Sequence, residues 1–133
     1  MCGSATVDVD MLYRHTEYGA GVDRTAPYIA AFWRVLRSFT NRQRLRFVKF
    51  AWGQERLPTT DRGFEAGNVR MLVKAWPRKP PGSPPTDTYL PLADTCFFNI
   101  ALPPYSSEAI MRKQLLAAIS ADWGLDGDEV QGH

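Results

Sequence analysis

Cysteine and histidine are scarce in this 133-residue chain, and their scarcity excludes more chemistry than any motif suggests. There are two cysteines, Cys2 beside one end and Cys96 far along the chain. They make no disulfide framework and offer no paired spacing for a metal, so reduced thiols are the default and no metal or other cofactor is expected. The two histidines, His15 and His133, lie far from Cys96. A Cys-His dyad of the cysteine-protease kind therefore lacks support, and both histidines read as surface residues. No apolar run approaches the roughly 20 residues of a membrane span, and the start Met1-Cys2-Gly3-Ser4-Ala5 has neither the basic nor the apolar region of a secretory signal. The expected location is cytosolic or nuclear, with no membrane partner. Neither sign of charge is in excess: 16 basic against 14 acidic residues leave a net charge of +2, too little to argue for a polyanion partner. Nucleotide and dinucleotide motifs are also missing.

What the chain does have is enough apolar material for one core: 44% hydrophobic residues, with seven Phe and four Trp. Val7 to His15 predicts a short helix, with Asp8 or Asp10 near its start and basic residues near its end. Tyr18-Gly19-Ala20-Gly21-Val22 reads as a hinge or a plain turn. Thr25 is expected to cap, and Pro27 to begin, a helix whose Ile29, Phe32, Trp33 and Leu36 fall at i, i+3, i+4 and i+7. Thr40 and Gln43 have capping-box spacing at the start of a second helix that runs through Leu45, Val48 and Trp52 to stop at Gly53. Gln54 to Gly67 reads as loop. Met71 to Trp76 reads as a strand ended by Pro77.

Arg78 to Pro85 holds four prolines and a glycine, the composition of an extended surface loop more than of a P-x-x-P ligand at Pro81 to Pro84. Cys96 then stands at an expected loop-to-strand junction on the sheet edge, with the apolar run Phe97 to Leu102 anchoring the chain behind it. Ser106 or Ser107 is expected to cap a last helix with Met111, Leu115, Ala118 and Ile119 as its buried stripe, and an acidic mobile tail follows. The order helix, hinge, two helices, strand, loop, strand, helix is an α+β layout with helices around a small sheet.

Residue by residue, the chemistry is thin. Free cysteines are more often small buried hydrophobes than nucleophiles. Asp94 and Thr95 are ordinary turn residues that can also orient a substrate group. Arg34, Arg37, Arg42, Arg44, Arg46 and Lys49, interleaved with Phe32, Trp33, Phe47 and Phe50, admit a nucleic-acid surface. The solvated outer face of two packed helices accounts for them better, so no nucleic-acid partner is expected.

The segment Leu90-Pro91-Leu92-Ala93-Asp94-Thr95-Cys96-Phe97, followed by Leu102-Pro103-Pro104-Tyr105, closely resembles the catalytic cysteine loop of HECT-type ubiquitin-protein ligases. Asp10 to Tyr18 looks like the end of the family's N-lobe entering the inter-lobe hinge. Phe32-Trp33, Phe50-Ala51-Trp52-Gly53, Arg56-Leu57-Pro58 and Gly63-Phe64 fall in family order, and about residues 7–127 match.

The resemblance implies residues 1–18 as the end of the N-lobe, 19–23 as the hinge, 24–127 as a C-lobe and 128–133 as a flexible tail. It implies that Cys96 accepts ubiquitin from a ubiquitin-conjugating enzyme as a thioester and passes it to a lysine of a substrate protein. Such a cysteine must be accessible and partly thiolate, which for an ordinary thiol titrating near about 8.5 asks only modest help. Thr95 is implied to hold the loop, Asp94 to steer the incoming lysine or its proton, and the surface near Leu92 and Tyr105 to contact ubiquitin. Two departures stand out. Many family members have His where this chain has Asp94, and a carboxylate there disfavours the thiolate; the family often has Phe where this chain has Leu125. The lobe that recruits the conjugating enzyme is expected to lie outside this chain, which reads as a fragment of a larger ligase. The alternative is a degenerate C-lobe that binds ubiquitin or a partner without transferring it.

Overall fold

The computed structural model describes residues 6–53, 57–77 and 79–124. Cys2, Arg56, Arg78, Leu125, His133 and the tail 128–133 lie outside those residues. The helix boundaries follow from capping chemistry. Asp8 opens α1 (Val9–Arg14) by accepting from the Met11 amide at 3.1 Å, and Asp10 and Arg14 sit at the ends where the helix dipole favours their charge. Pro27 takes the first turn of α2 (Pro27–Ser38), but the cap is Ala26; Thr25, expected there, donates instead to Asp23 from its amide and its hydroxyl. Thr40 and Gln43 form the expected capping box on α3 (Asn41–Trp52), and Gly53 ends that helix in the left-handed region at φ +79°. Helix α5 (Glu108–Gly124) is capped by Ser107, whose hydroxyl accepts from the Ile110 amide, while Ser106 binds the Asp87 carboxylate.

Three short elements correct the expected order. Strand β1 (Thr16–Tyr18) lies between the expected helix, Val7 to His15, and the expected hinge, whose first residue Tyr18 it takes up. It pairs in parallel with β2 (Met71–Ala75), and the Gly19 amide extends the ladder to the Val73 carbonyl at 2.8 Å. Helix α4 (Asp61–Ala66) lies inside the expected loop, capped by Thr60 and anchored by buried Phe64. Its Gly63 has no room for a side chain, since a Cβ there would stand 2.9 Å from Pro58 Cβ. Strand β3 (Leu92–Asp94) occupies chain read as unpaired, antiparallel to β4 (Asn99–Leu102).

The four strands run in the order β1-β2-β4-β3, with β2 and β4 parallel. With the helices they make the expected α+β fold. Met71 and Val73 of β2 and Ile100 and Leu102 of β4 alternate into one core, as the two-residue period of a strand requires. The stripes read from the sequence meet them there: Ile29, Phe32, Trp33 and Leu36 of α2, and Met111, Leu115 and Ile119 of α5. Val9 and Leu12 of α1 join the same cluster, so α1 and β1 share the core and sheet of the residues that follow. Among the described residues no helix is long and apolar enough to cross a membrane.

Candidate active site

Cys96 lies in the turn of a β-hairpin, which refines the expected loop-to-strand junction. Asp94 pairs with Asn99, leaving the four residues 95–98 to reverse the chain between β3 and β4. The turn is closed by the Phe97 amide, which donates to the Asp94 carbonyl at 3.2 Å. Asp94 also accepts from the Cys96 amide through Oδ1 at 3.2 Å, the local bond by which an aspartate stabilises a turn two residues on. The cysteine is free and exposed, at one edge of the sheet. Phe97 beside it is 71% exposed, whereas Phe98 is buried.

The turn is backed by the C-terminal end of α3. A Cβ placed on Gly53 would stand 3.4 Å from Thr95 Cβ, so the turn passes close to the helix end. One residue earlier, the Trp52 indole stacks on the Phe98 ring at 4.9 Å and 14°. Phe98 holds φ at +54°, a region that side-chain-bearing residues rarely adopt. Trp52, Phe97 and Phe98 join Asn68 and Arg70 around a cavity of about 270 Å³ into which Cys96 also opens. Among the described residues, no histidine lines it. The Arg70 guanidinium is fixed by Glu17 and Asn68, each at 2.7 Å.

Of the other predicted site residues, Thr95 shares the turn with Cys96, Asp94 ends β3 and bonds the Cys96 amide, and Leu92, 56% exposed, lies two residues before Asp94 on the same strand. Tyr105 does not offer the exposed surface expected of it. It is 5% exposed, and its hydroxyl donates to the Tyr89 carbonyl at 2.5 Å. Desolvation, then the Asp87 carboxylate, push that phenol well above the ordinary tyrosine range. The reason is packing, since Tyr105 joins the core cluster behind the proline pair.

His15 is likewise no plain surface residue. Its ring stacks on Phe64 at 4.5 Å and 6°, with Nε2 2.7 Å from Asp61 Oδ1. Asp61 also takes a two-pronged bond from Arg14, and its pKa is held below the ordinary carboxylate value first by Arg14 and then by His15.

The basic residues of α2 and α3 are engaged within the protein. Arg34 pairs with Glu108 at 2.7 Å, Arg37 with Asp10 at 2.8 Å, and Arg44 donates to the carbonyls of Val7, Leu36 and Arg37. Phe32, Trp33 and Phe47, which would have to stack on bases, are in the core. The residues that sequence reasoning missed are Trp52, Phe98, Asn68 and Arg70. The stop at Gly53 was readable, but nothing local says that this helix end meets a hairpin more than forty residues away.

The hairpin, its exposed thiol and the aromatic support behind it can be set beside known proteins. Residues 1–126 match the family model described as HECT-domain (ubiquitin-transferase). The human E3 ubiquitin-protein ligase HERC2 is 34% identical over 131 residues, which is 97% of this chain and 2% of HERC2. The human E3 ubiquitin-protein ligase HECW2 is 32% identical over 133 residues, covering 95% of this chain and 8% of HECW2. The chain thus spans a small part of these relatives, and the matched region carries both the core and the cysteine hairpin. An α+β fold built on this sequence and matched by that model over nearly all its length belongs to the HECT domain family of ubiquitin transferases.

Proposed function

We propose that Cys96 accepts ubiquitin from a ubiquitin-conjugating enzyme as a thioester and transfers it to a lysine of a substrate protein. The observation that carries this reading is an exposed thiol at a hairpin turn, within the segment that resembles the family's cysteine loop. In the first step the Cys96 thiolate attacks the carbonyl carbon of ubiquitin's C-terminal thioester. A bond to Sγ forms, the bond to the conjugating enzyme's sulfur breaks, and that sulfur leaves as thiolate. In the second step a neutral lysine amine attacks the same carbonyl and loses a proton. The amide forms and Cys96 leaves as thiolate. The first exchange replaces one thioester by another and is nearly balanced, while the second is downhill because a thioester is activated toward amines. The protein's share is then mostly positioning.

In this reading Asp94 and Thr95 hold the turn, and the Asp94 carboxylate steers the incoming ammonium or takes its proton. Leu92, and with it Phe97, gives ubiquitin an apolar contact; both are exposed. Residues 24–127 act as the transferring lobe, against whose core and sheet α1 and β1 pack. A reducing location, cytoplasm or nucleus, keeps the thiol available.

The test supplies ubiquitin, its activating enzyme, a conjugating enzyme and a separate HECT N-lobe to the chain. A reductant-sensitive ubiquitin adduct that disappears in Cys96→Ala supports the proposal. No adduct under those conditions would sink it in favour of a lobe that binds without transferring.

A further inference from the structure

Among the described residues, two with side chains adopt positive φ, Asn68 at +52° and Phe98 at +54°, and both line the cavity beside Cys96. Asparagine tolerates that region because its short polar side chain can bond locally; phenylalanine has no such excuse. A strained dihedral persists only where its surroundings over-determine it. For Phe98 those surroundings are visible. Its ring is buried and lies on the Trp52 indole at 4.9 Å, and its carbonyl accepts from the Leu72 amide of β2 at 3.1 Å. The dihedral at position 98 sets the direction in which the residues before it leave the sheet. Phe97 and Phe98 consequently end in opposite environments, one in solvent and one in the core. Thr95, at the other end of the turn, meets Gly53 of the same helix end.

We infer that Trp52 is a positioning residue for Cys96: acting through the Phe98 ring, its indole fixes the hairpin turn so that the thiol faces the cavity bounded by Asn68 and Arg70. The inference deepens the ubiquitin-accepting reading and rests on it for its catalytic meaning. The mechanical part, that Trp52 holds the turn, stands on geometry alone. A bulky donor must approach the sulfur along one direction, whereas a small reagent reaches it from many. Loss of Trp52 is thus expected to slow exchange with the bulky donor and leave the small reagent almost unaffected.

The experiment uses the full chain and its Trp52→Ala and Trp52→Phe variants. Ubiquitin bearing a C-terminal mercaptoethanesulfonate thioester serves as donor, so that no conjugating enzyme is needed; Cys96 displaces mercaptoethanesulfonate, which leaves as thiolate. Iodoacetamide alkylation of Cys96 is the small-reagent control. Hydrogen exchange of the Phe97 amide, which closes the turn, reads the turn itself.

The expected result for Trp52→Ala is about a tenfold slower loading, alkylation within about twofold of wild type, and about tenfold faster exchange at Phe97 with α2 amides unchanged. Trp52→Phe, which keeps a ring against Phe98, restores most of the loading. Equal loading in wild type and Trp52→Ala would overturn the inference, as would unchanged exchange at Phe97 or a Trp52→Phe variant as slow as Trp52→Ala. A wild-type chain that takes no ubiquitin, while Phe97 exchange still responds to Trp52, refutes the ubiquitin reading and upholds the hold on the turn.

Discussion

Gly53 and Thr95 meet where the C-terminal end of α3 backs the cysteine turn: Gly53 is left-handed at φ +79°, and a Cβ there would lie 3.4 Å from Thr95 Cβ. An alanine at 53 would carry a left-handed strain of about 1–2 kcal/mol, partly offset by the 0.4–1 kcal/mol that a less flexible unfolded chain returns. Gly53→Ala is therefore expected to destabilise by roughly 1 kcal/mol and lower the melting temperature by a few degrees. A thermal melt checks this, and an unchanged or raised midpoint would contradict it.

Tyr105 belongs to the core, so its hydroxyl acts in stability and not in ubiquitin contact. Tyr105→Phe leaves the Tyr89 carbonyl without its partner and should cost about 1–2 kcal/mol in urea unfolding, with ubiquitin binding unaltered. The raised phenol pKa sets a sign as well. The folded state keeps a proton that the unfolded chain gives up at about pH 10. This contribution is fully present below that pH and is lost as pH rises through and above it. Tyr105→Phe should flatten the alkaline fall in stability. An identical fall in both proteins would disprove the assignment.

The Arg14-His15-Asp61 cluster ties α1 to α4 and makes an acid-range prediction. The Asp61 pKa is lowered, first by the Arg14 hydrogen bond and then by His15. A lowered folded-state value stabilises above the unfolded pKa of about 3.9 and is lost as pH falls through the folded value. Denaturant midpoints measured from pH 6 to pH 3 should drop less steeply in Asp61→Asn than in wild type. Parallel slopes would show that the cluster does not contribute.

Leu92 and Phe97 are exposed apolar side chains on and beside the hairpin, at 56% and 71%. Leu92→Asp and Phe97→Asp should weaken ubiquitin binding in a chemical-shift titration while moving the melting temperature little, since little buried area is lost. Full binding in both variants would remove this surface from the account.

Much of this fold is legible in the letters because it is local. The spacing of Ile29, Phe32, Trp33 and Leu36, the box of Thr40 and Gln43, and the stop at Gly53 all act within one helix turn or one stripe. Strand β1 is different, since Thr16 to Tyr18 becomes a strand only through its distant neighbour β2. Helix α4 is hidden by Gly63 and Gly67, which read as loop although Gly63 is demanded by Pro58. At the site, the junction that holds Cys96 is legible, but its exposure is not: residue type alone favours a buried thiol, and the turn that presents it forms only once β3 pairs with β4. The burial of Tyr105 and the support from Trp52 are not legible either, because each depends on a partner far away in the chain.

The most direct measurement maps the ubiquitin adduct by tandem mass spectrometry after loading and quenching without reductant. The account predicts ubiquitin's C-terminal glycine on Cys96 Sγ, released by thiol and absent in Cys96→Ala. Attachment at a lysine with Cys96 left open to alkylation would contradict it.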